Sequence, residues 1–261
     1  MPLDFSATTA LITGASSGIG AAFADALAER GANVVLVARR EERLNELAAE
    51  LTERHGITAT VIALDLERDH AAAELSDELD RRGIRIDSLI NNAGFGMRGD
   101  FVDADPARIA AMIQLNVAAL VALTRTFLPQ LIASGRGALV NIASVVAYQP
   151  TPHMAVYGAS KAFVLSFTEA IAYETRATGL RVLAVSPGAT ATEFFEIANA
   201  EDVTRGSVQT PAQVVATALG ALDRRRTPPS VVSGGTNRLA ATLAGVLPRG
   251  VVLDASGRLL A

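Results

Sequence analysis

Tyr157 and Lys161 stand four residues apart in Val156-Tyr157-Gly158-Ala159-Ser160-Lys161, a spacing that puts both side chains on one face of a helix. A phenol ordinarily titrates near pH 10, and a neighbouring ammonium favours its ionised form. Such a tyrosine can exchange a proton with a carbonyl or hydroxyl oxygen near neutral pH. In most chains the pair would mean little. Here the 261 residues carry 23 lysines and arginines, and Lys161 is the single lysine among them. With tyrosine only at 148, 157 and 173, a randomly placed lysine would follow one by four roughly once in ninety cases. Arginine and lysine are not interchangeable at a precise site, so a compact ammonium is required at 161.

Other polar residues fall where they can serve that pair. Ser144 lies thirteen residues before Tyr157, directly after the apolar run ALVNIA. That is the carboxyl end of a strand, where open α/β sheets hold their sites, and its hydroxyl can position a substrate oxygen. Asn91-Asn92-Ala93-Gly94 ends an earlier strand in the same manner. Asn116 interrupts the apolar helical stretch Ile113–Leu123; it reads either as functional or as a buried amide satisfied for structural reasons.

A second constellation opens the chain. Thr13-Gly14-Ala15-Ser16-Ser17-Gly18-Ile19-Gly20 joins an apolar strand to a helix. Glycines there permit a sharp turn and close backbone approach, and the exposed N–H groups of the helix start face an anion such as a pyrophosphate. No Lys-Ser/Thr pair follows the last glycine, so it is not an ATP-type P-loop. The next strand, NVVLVA, runs into Arg39-Arg40, with Ala38 where an acidic residue would hold the 2′-hydroxyl of NAD. Guanidinium there suits the 2′-phosphate of NADP(H), with Arg39 the better placed of the two; a solvated surface pair beside Glu41 and Glu42 is the alternative.

The elements that must position these groups follow from hydrophobic patterning. Short β-branched runs at Thr8–Thr13, Asn33–Ala38, Thr58–Leu64, Ser88–Asn91, Ala138–Ile142, Arg181–Val185 and Ser230–Ser233 alternate with helical patterns. The helices are expected at Ile19–Arg30, Glu41–Arg54, Ala71–Arg82, Pro106–Ala133, Ala155–Thr178 and Pro211–Arg225, with Asp105-Pro106 and Thr210-Pro211 as N-terminal caps. Several strands are continuously apolar, as expected when helices cover both faces. The expectation is one α/β domain over residues 1–261: a doubly wound, Rossmann-type parallel sheet of about seven strands with helices on both faces. Residues 189–210 form a long connection of the kind that serves as a binding loop. The tail 237–261 carries two modest apolar patches, read first as core packing and next as an oligomer contact.

Together these motifs resemble the short-chain dehydrogenase/reductase family, in order and spacing, up to about residue 235. The sequence carries the family's glycine motif as TGASSGIG, its NNAG, its serine as Ser144 and its Tyr-x-x-x-Lys as YGASK. The resemblance implies a tetrad of Asn116, Ser144, Tyr157 and Lys161. In it Tyr157 is the general acid/base and Ser144 positions the carbonyl. Lys161 lowers the Tyr157 pKa and binds the nicotinamide ribose, and Asn116 holds a water in a proton relay. It also implies cofactor contacts at Gly14, Ser16, Ser17, Gly18, Ile19 and Gly20, at Arg39 and Arg40, and at Asp65 and Leu66 for the adenine. Asn92, Ala93 and Gly94 would follow the ribose, with Pro187, Gly188 and Thr192 at the nicotinamide. The implied activity is NADP(H)-dependent interconversion of a carbonyl and an alcohol, on a homodimer or homotetramer assembled through the long helices. A non-catalytic NADP(H)-binding sensor on the same fold is the alternative, against which the intact tetrad speaks.

Composition narrows the classes further. Without cysteine there is no disulfide, thiolate nucleophile or Cys-ligated metal, and no metal site is assigned. A net charge of −4 disfavours a dedicated nucleic-acid surface. No signal peptide and no integral membrane segment are read, so a cytoplasmic protein is expected. A hydrolase is disfavoured by the lack of a Gly-x-Ser-x-Gly elbow. His55 and His70 fall near helix ends, and His153 is a candidate for the pocket mouth. The pocket candidates Phe95, Met97, Val145, Val146, Met154, Phe194 and Phe195 suggest a hydrophobic ketone, aldehyde or keto-acyl substrate, if they are not ordinary core.

Overall fold

The β-branched runs become seven parallel strands of one sheet in the computed structural model, which describes residues 2–198 and 208–260. They are β1 (Thr9–Thr13), β2 (Asn33–Ala38), β3 (Ala59–Ala63), β4 (Ser88–Asn91), β5 (Ala138–Ile142), β6 (Arg181–Ser186) and β7 (Ser230–Val232), in the order β3-β2-β1-β4-β5-β6-β7. The helices are α1 (Gly18–Glu29), α2 (Glu41–His55), α3 (Ala71–Arg81), α4 (Pro106–Ile113), α5 (Leu120–Ser134) and α6 (Ala155–Glu174). After β6 come α7 (Phe194–Ile197), α8 (Pro211–Leu222), α9 (Gly235–Val246) and α10 (Arg249–Leu260).

Alternation along each strand divides the core in two. Ile12, Leu36 and Val140 face α1, α2 and α8, against Phe23, Leu27, Leu44, Leu51 and Leu219. Their sequence neighbours Leu11, Val35 and Leu139 face the other way, against Leu75 and Leu79 of α3 and Leu123, Phe127 and Leu131 of α5. Each such side chain, fully buried, contributes roughly 1.5–3 kcal/mol. Double coverage explains why the strands read as unbroken apolar runs. Strand order reverses between β1 and β4, and the crevice at their carboxyl ends is where such sheets bind ligands.

Both expected caps form. The Asp105 carboxylate accepts from Ala107 N–H at 2.9 Å with Pro106 at the first helical position. Thr210 and Gln213 make a reciprocal capping box at α8. The stretch expected as one helix over 106–133 runs continuously from Pro106 to Ser134, but Gln114–Ala119 between α4 and α5 takes the wider π-helical form. Such turns mark sites where a helix must redirect side chains, and this one carries Asn116. The same stretch is the one helix among the described residues long and apolar enough to cross a membrane. Here its Met112, Leu123, Phe127 and Leu131 are buried in the protein.

The tail departs from the expectation of core packing. It forms α9 and α10, whose Leu239, Leu243, Val246, Leu247, Val251 and Leu253 are exposed, while Ala241, Val252 and Ser256 are buried. The long connection over 189–210 is closed at its base, where Ala191 N–H donates to Gln209 O and Gln209 N–H to Ala189 O. Its residues 199–207 lie outside the described residues.

Candidate active site

A cavity of about 740 Å³ runs across the carboxyl ends of the strands. Every site residue expected from the sequence lines it except Gly20 and Asn116, which hold the walls from behind. At one end lie Ala38, Arg39, Arg40, Asp65 and Leu66; in the middle lie Gly14, Gly18, Ile19 and Asn92–Gly94; Ser144, Tyr157, Lys161, Pro187, Gly188 and Thr192 follow.

The turn after β1 is built for close approach. Gly14 has φ of +64°, a conformation that favours glycine, and a side chain at 20 would collide with the Gly14 carbonyl. Asn92 Nδ2 donates to Thr13 O at 2.9 Å and Gly14 O at 3.2 Å. Thr13 Oγ1 accepts from Asn92 and Ala93 N–H at 2.9 and 3.0 Å. The ends of β1 and β4 are thereby locked together. Arg40 lies over this turn: Nη2 donates to Ser16 Oγ at 3.0 Å and Ser17 Oγ at 2.9 Å, and Nη1 to Glu193 Oε2 at 2.9 Å. Arg39 reaches the other way, to Glu67 at 3.2 Å, and is largely exposed. Arg43 shares Glu193, and the two guanidinium groups hold that carboxyl down to a pKa of about 2.

Tyr157, Lys161, Ser144 and Asn116 are all buried. Tyr157 and Lys161 sit a turn apart on α6, with the ammonium 5.9 Å from the phenol ring centroid. Burial pushes the Tyr157 hydroxyl up to about 12, and a hydrogen bond from Ser144 pulls against that rise. Burial also lowers Lys161 to about 8. The expectation that the ammonium lowers the tyrosine is therefore not met here: desolvation dominates both groups, and Lys161 Nζ donates to Ile142 O at 2.8 Å. Asn116 is engaged on both sides of its amide. Oδ1 accepts from Phe95 N–H at 3.1 Å, while Nδ2 donates to Phe95 O at 2.9 Å and Ser160 Oγ at 3.2 Å. Its side chain thus pins the strand-end loop to α6 and keeps one lone pair in hand.

Beyond Tyr157 the cavity wall is mostly apolar. The Phe194 ring of α7 stands 5.2 Å from the Tyr157 ring, and Phe95, Val145, Val146, Met154 and Phe195 complete the wall. Met97 is set back, packed beside Met112, Met154 and Tyr157. His153 is not on the wall; its Nδ1 meets Asp100 Oδ1 at 2.7 Å. His55 likewise pairs with Asp25, at 2.9 Å.

Sequence reasoning missed several contributors. Asn141 accepts from Asn91 Nδ2 at 2.9 Å and donates to Thr168 Oγ1 at 2.9 Å, a buried chain beneath the site. A lone amide in the run ALVNIA was its visible signal. Thr13 had a comparable one, a hydroxyl at the end of an apolar strand. Glu193, Arg108 and Ser256 also line the cavity, and no local pattern marks them.

Comparison with known proteins agrees with this geometry. Residues 8–202 match the short chain dehydrogenase family model. The chain is 44% identical over 186 residues to sulfoacetaldehyde reductase 2 of Chromohalobacter salexigens, covering 70% of this chain and 73% of that protein. A short-chain dehydrogenase from Sphingobium yanoikuyae in complex with NADPH superposes with a TM-score of 0.79 at 41% identity, covering 86% and 87% of the two chains. A 7beta-hydroxysteroid dehydrogenase superposes with a TM-score of 0.86 at 28% identity, covering 98% and 100%.

Proposed function

The chain belongs to the short-chain dehydrogenase family of oxidoreductases, and from that premise we propose that it is an NADP(H)-dependent carbonyl reductase, reversibly an alcohol dehydrogenase. The observation that carries this reading is the buried Tyr157–Ser144–Lys161 cluster at the end of a cavity that begins at two arginines. The cavity fits a dinucleotide. Its glycine turn leaves backbone N–H groups for the pyrophosphate, and Asp65 and Leu66 flank the adenine end. Arg39 and Arg40 would hold the 2′-phosphate, with Arg40 already braced on Ser16 and Ser17. Asn92–Gly94, Pro187, Gly188 and Thr192 would line the ribose and nicotinamide. The bound nicotinamide would supply or accept a hydride.

The remaining chemistry falls to the chain. Ser144 holds the substrate oxygen against Tyr157. With its pKa pushed up to about 12, Tyr157 keeps its proton at neutral pH and can give it to the oxygen as the carbonyl is reduced. Lys161 has N–H donors beyond the one given to Ile142 O, which suit ribose hydroxyls. Asn116 acts here as a positioning residue through Phe95 and Ser160. The apolar wall suits a hydrophobic ketone, aldehyde or keto-acyl group.

Following NADPH absorbance over a panel of ketones, aldehydes and alcohols tests the reading. Tyr157→Phe is expected to lower turnover by about 10²–10⁴-fold, the usual worth of a positioned acid, with NADPH affinity unchanged. Turnover retained in that variant would remove Tyr157 from the mechanism. Cofactor binding with no turnover of any carbonyl by the wild type would favour the sensor alternative.

A further inference from the structure

The substrate end of the cavity is mostly apolar, with Gln149 and Ser256 as uncharged polar side chains in the lining. Among the described lining residues beyond Tyr157 and Lys161, Arg108 is the only charged side chain. It lies on α4 in register with Ala111 and Leu115, and all three line the cavity, so one helical face looks onto it. The guanidinium is held from two sides. Nη2 donates to Ile197 O at 2.7 Å, and the group lies over the Phe95 ring, 5.5 Å from its centroid.

Neither contact neutralises the charge. Arg39 sits on Glu67, and Arg40 and Arg43 sit on Glu193, yet Arg108 meets no carboxylate among the described residues. Guanidinium has five N–H donors, and the Ile197 bond takes one. An exposed positive charge with spare paired donors, at the edge of a mostly apolar wall, suits a planar or tetrahedral oxyanion. Resting on the carbonyl-reductase reading, we propose that the substrate carries an anionic group, and that Arg108 selects it.

Phe95, Ala111, Leu115 and Phe194 line the cavity together with Arg108, so an apolar part of the substrate would accompany the anion. Carboxylate, sulfonate and phosphate share this chemistry.

The test compares a medium-chain ω-oxo carboxylic acid, its methyl ester and the matching ω-oxo sulfonate as substrates, with NADPH oxidation as the readout. Wild-type protein is expected to favour the acid over the ester by at least tenfold in kcat/KM, expressed in KM and weakened by salt. Arg108→Gln should remove that preference, raising KM for the acid about tenfold while leaving the ester unchanged, and Arg108→Lys should retain part of it. The sulfonate arm reports whether a tetrahedral anion is taken as well as a planar one; a sulfonate preferred to the acid still supports the inference. Equal use of acid and ester by the wild type, or a parallel loss on both in Arg108→Gln, overturns it. In the second case Arg108 merely straps α4 to α7, and the reductase reading stands. If no carbonyl is turned over at all, that reading falls and takes this inference with it.

Discussion

Lys161 is a buried ammonium facing a backbone carbonyl with no carboxylate beside it, and its pKa falls from 10.5 to about 8 as a result. An unfolded chain keeps that proton up to the ordinary value. Between about pH 8 and 10.5 the unfolded state therefore holds more protons than the native one, and stability rises with pH across that window. Below pH 8 both states are protonated, and the buried charge costs a constant amount of about 3 kcal/mol, from about 1.4 kcal/mol per pH unit. Lys161→Met should then stabilise the cofactor-free protein at pH 7 by an amount of that order. The gain should shrink above pH 8 and vanish above 10.5. Denaturant unfolding at pH 7 and pH 9.5 measures both arms. A variant less stable than wild type at pH 7 would show that the bond to Ile142 outweighs the desolvation. The expected trade is stability given up at the site for a cation where function needs one.

At the scale of elements, the link between β2 and the loop after β6 governs the cofactor end. Glu193 is held at a pKa of about 2 by Arg43 and Arg40, so it stays ionised at any working pH and is lost as a partner only as pH falls from about 4.5 toward 2. A 2′-phosphate on Arg40 would place its charge beside that carboxylate. Glu193→Gln should therefore tighten NADPH binding several-fold and leave NADH binding unchanged, giving a larger NADPH/NADH affinity ratio by fluorescence titration. Equal weakening of both cofactors would instead mark Glu193 as a latch holding the loop shut. This link was invisible in the sequence: Arg40 and Glu193 are 153 residues apart, and the loop has no periodicity to place it. The strands, by contrast, were legible because double burial writes continuous apolar runs, and the caps because Asp105 and Thr210 precede prolines. The π-helical turn at Gln114–Ala119 was not, since its apolar pattern serves an α-helix equally well. In the tail, apolar spacing alone could not tell a buried stripe from the exposed ones of α9 and α10.

For the molecule as a whole, exposed aromatic side chains on α6 offer one surface on which the expected homo-oligomer can be tested. Phe163 is 43% exposed and stacks on Phe167 with ring centroids 5.8 Å apart, while Tyr173 on the same helix is 66% exposed and Ile113 on α4 is 46% exposed. Aromatic side chains of this kind serve as anchors in symmetric interfaces, and a stable dimer covers roughly 1,200–2,000 Å² in all. A second apolar surface competes for the role, on α9 and α10, where Leu239 and Leu243 stand one turn apart in solvent. Charge placed on each surface separates the two. Phe163→Glu puts a carboxylate on a side chain already partly in water, so the fold should survive while two facing copies would bury like charges. Light scattering is expected to give an oligomer for wild type and for Leu243→Glu, and a monomer for Phe163→Glu. The reverse pattern would move the interface to the tail, beside Ser256 at the cavity wall. A monomeric wild type would leave both surfaces without a partner of their own kind.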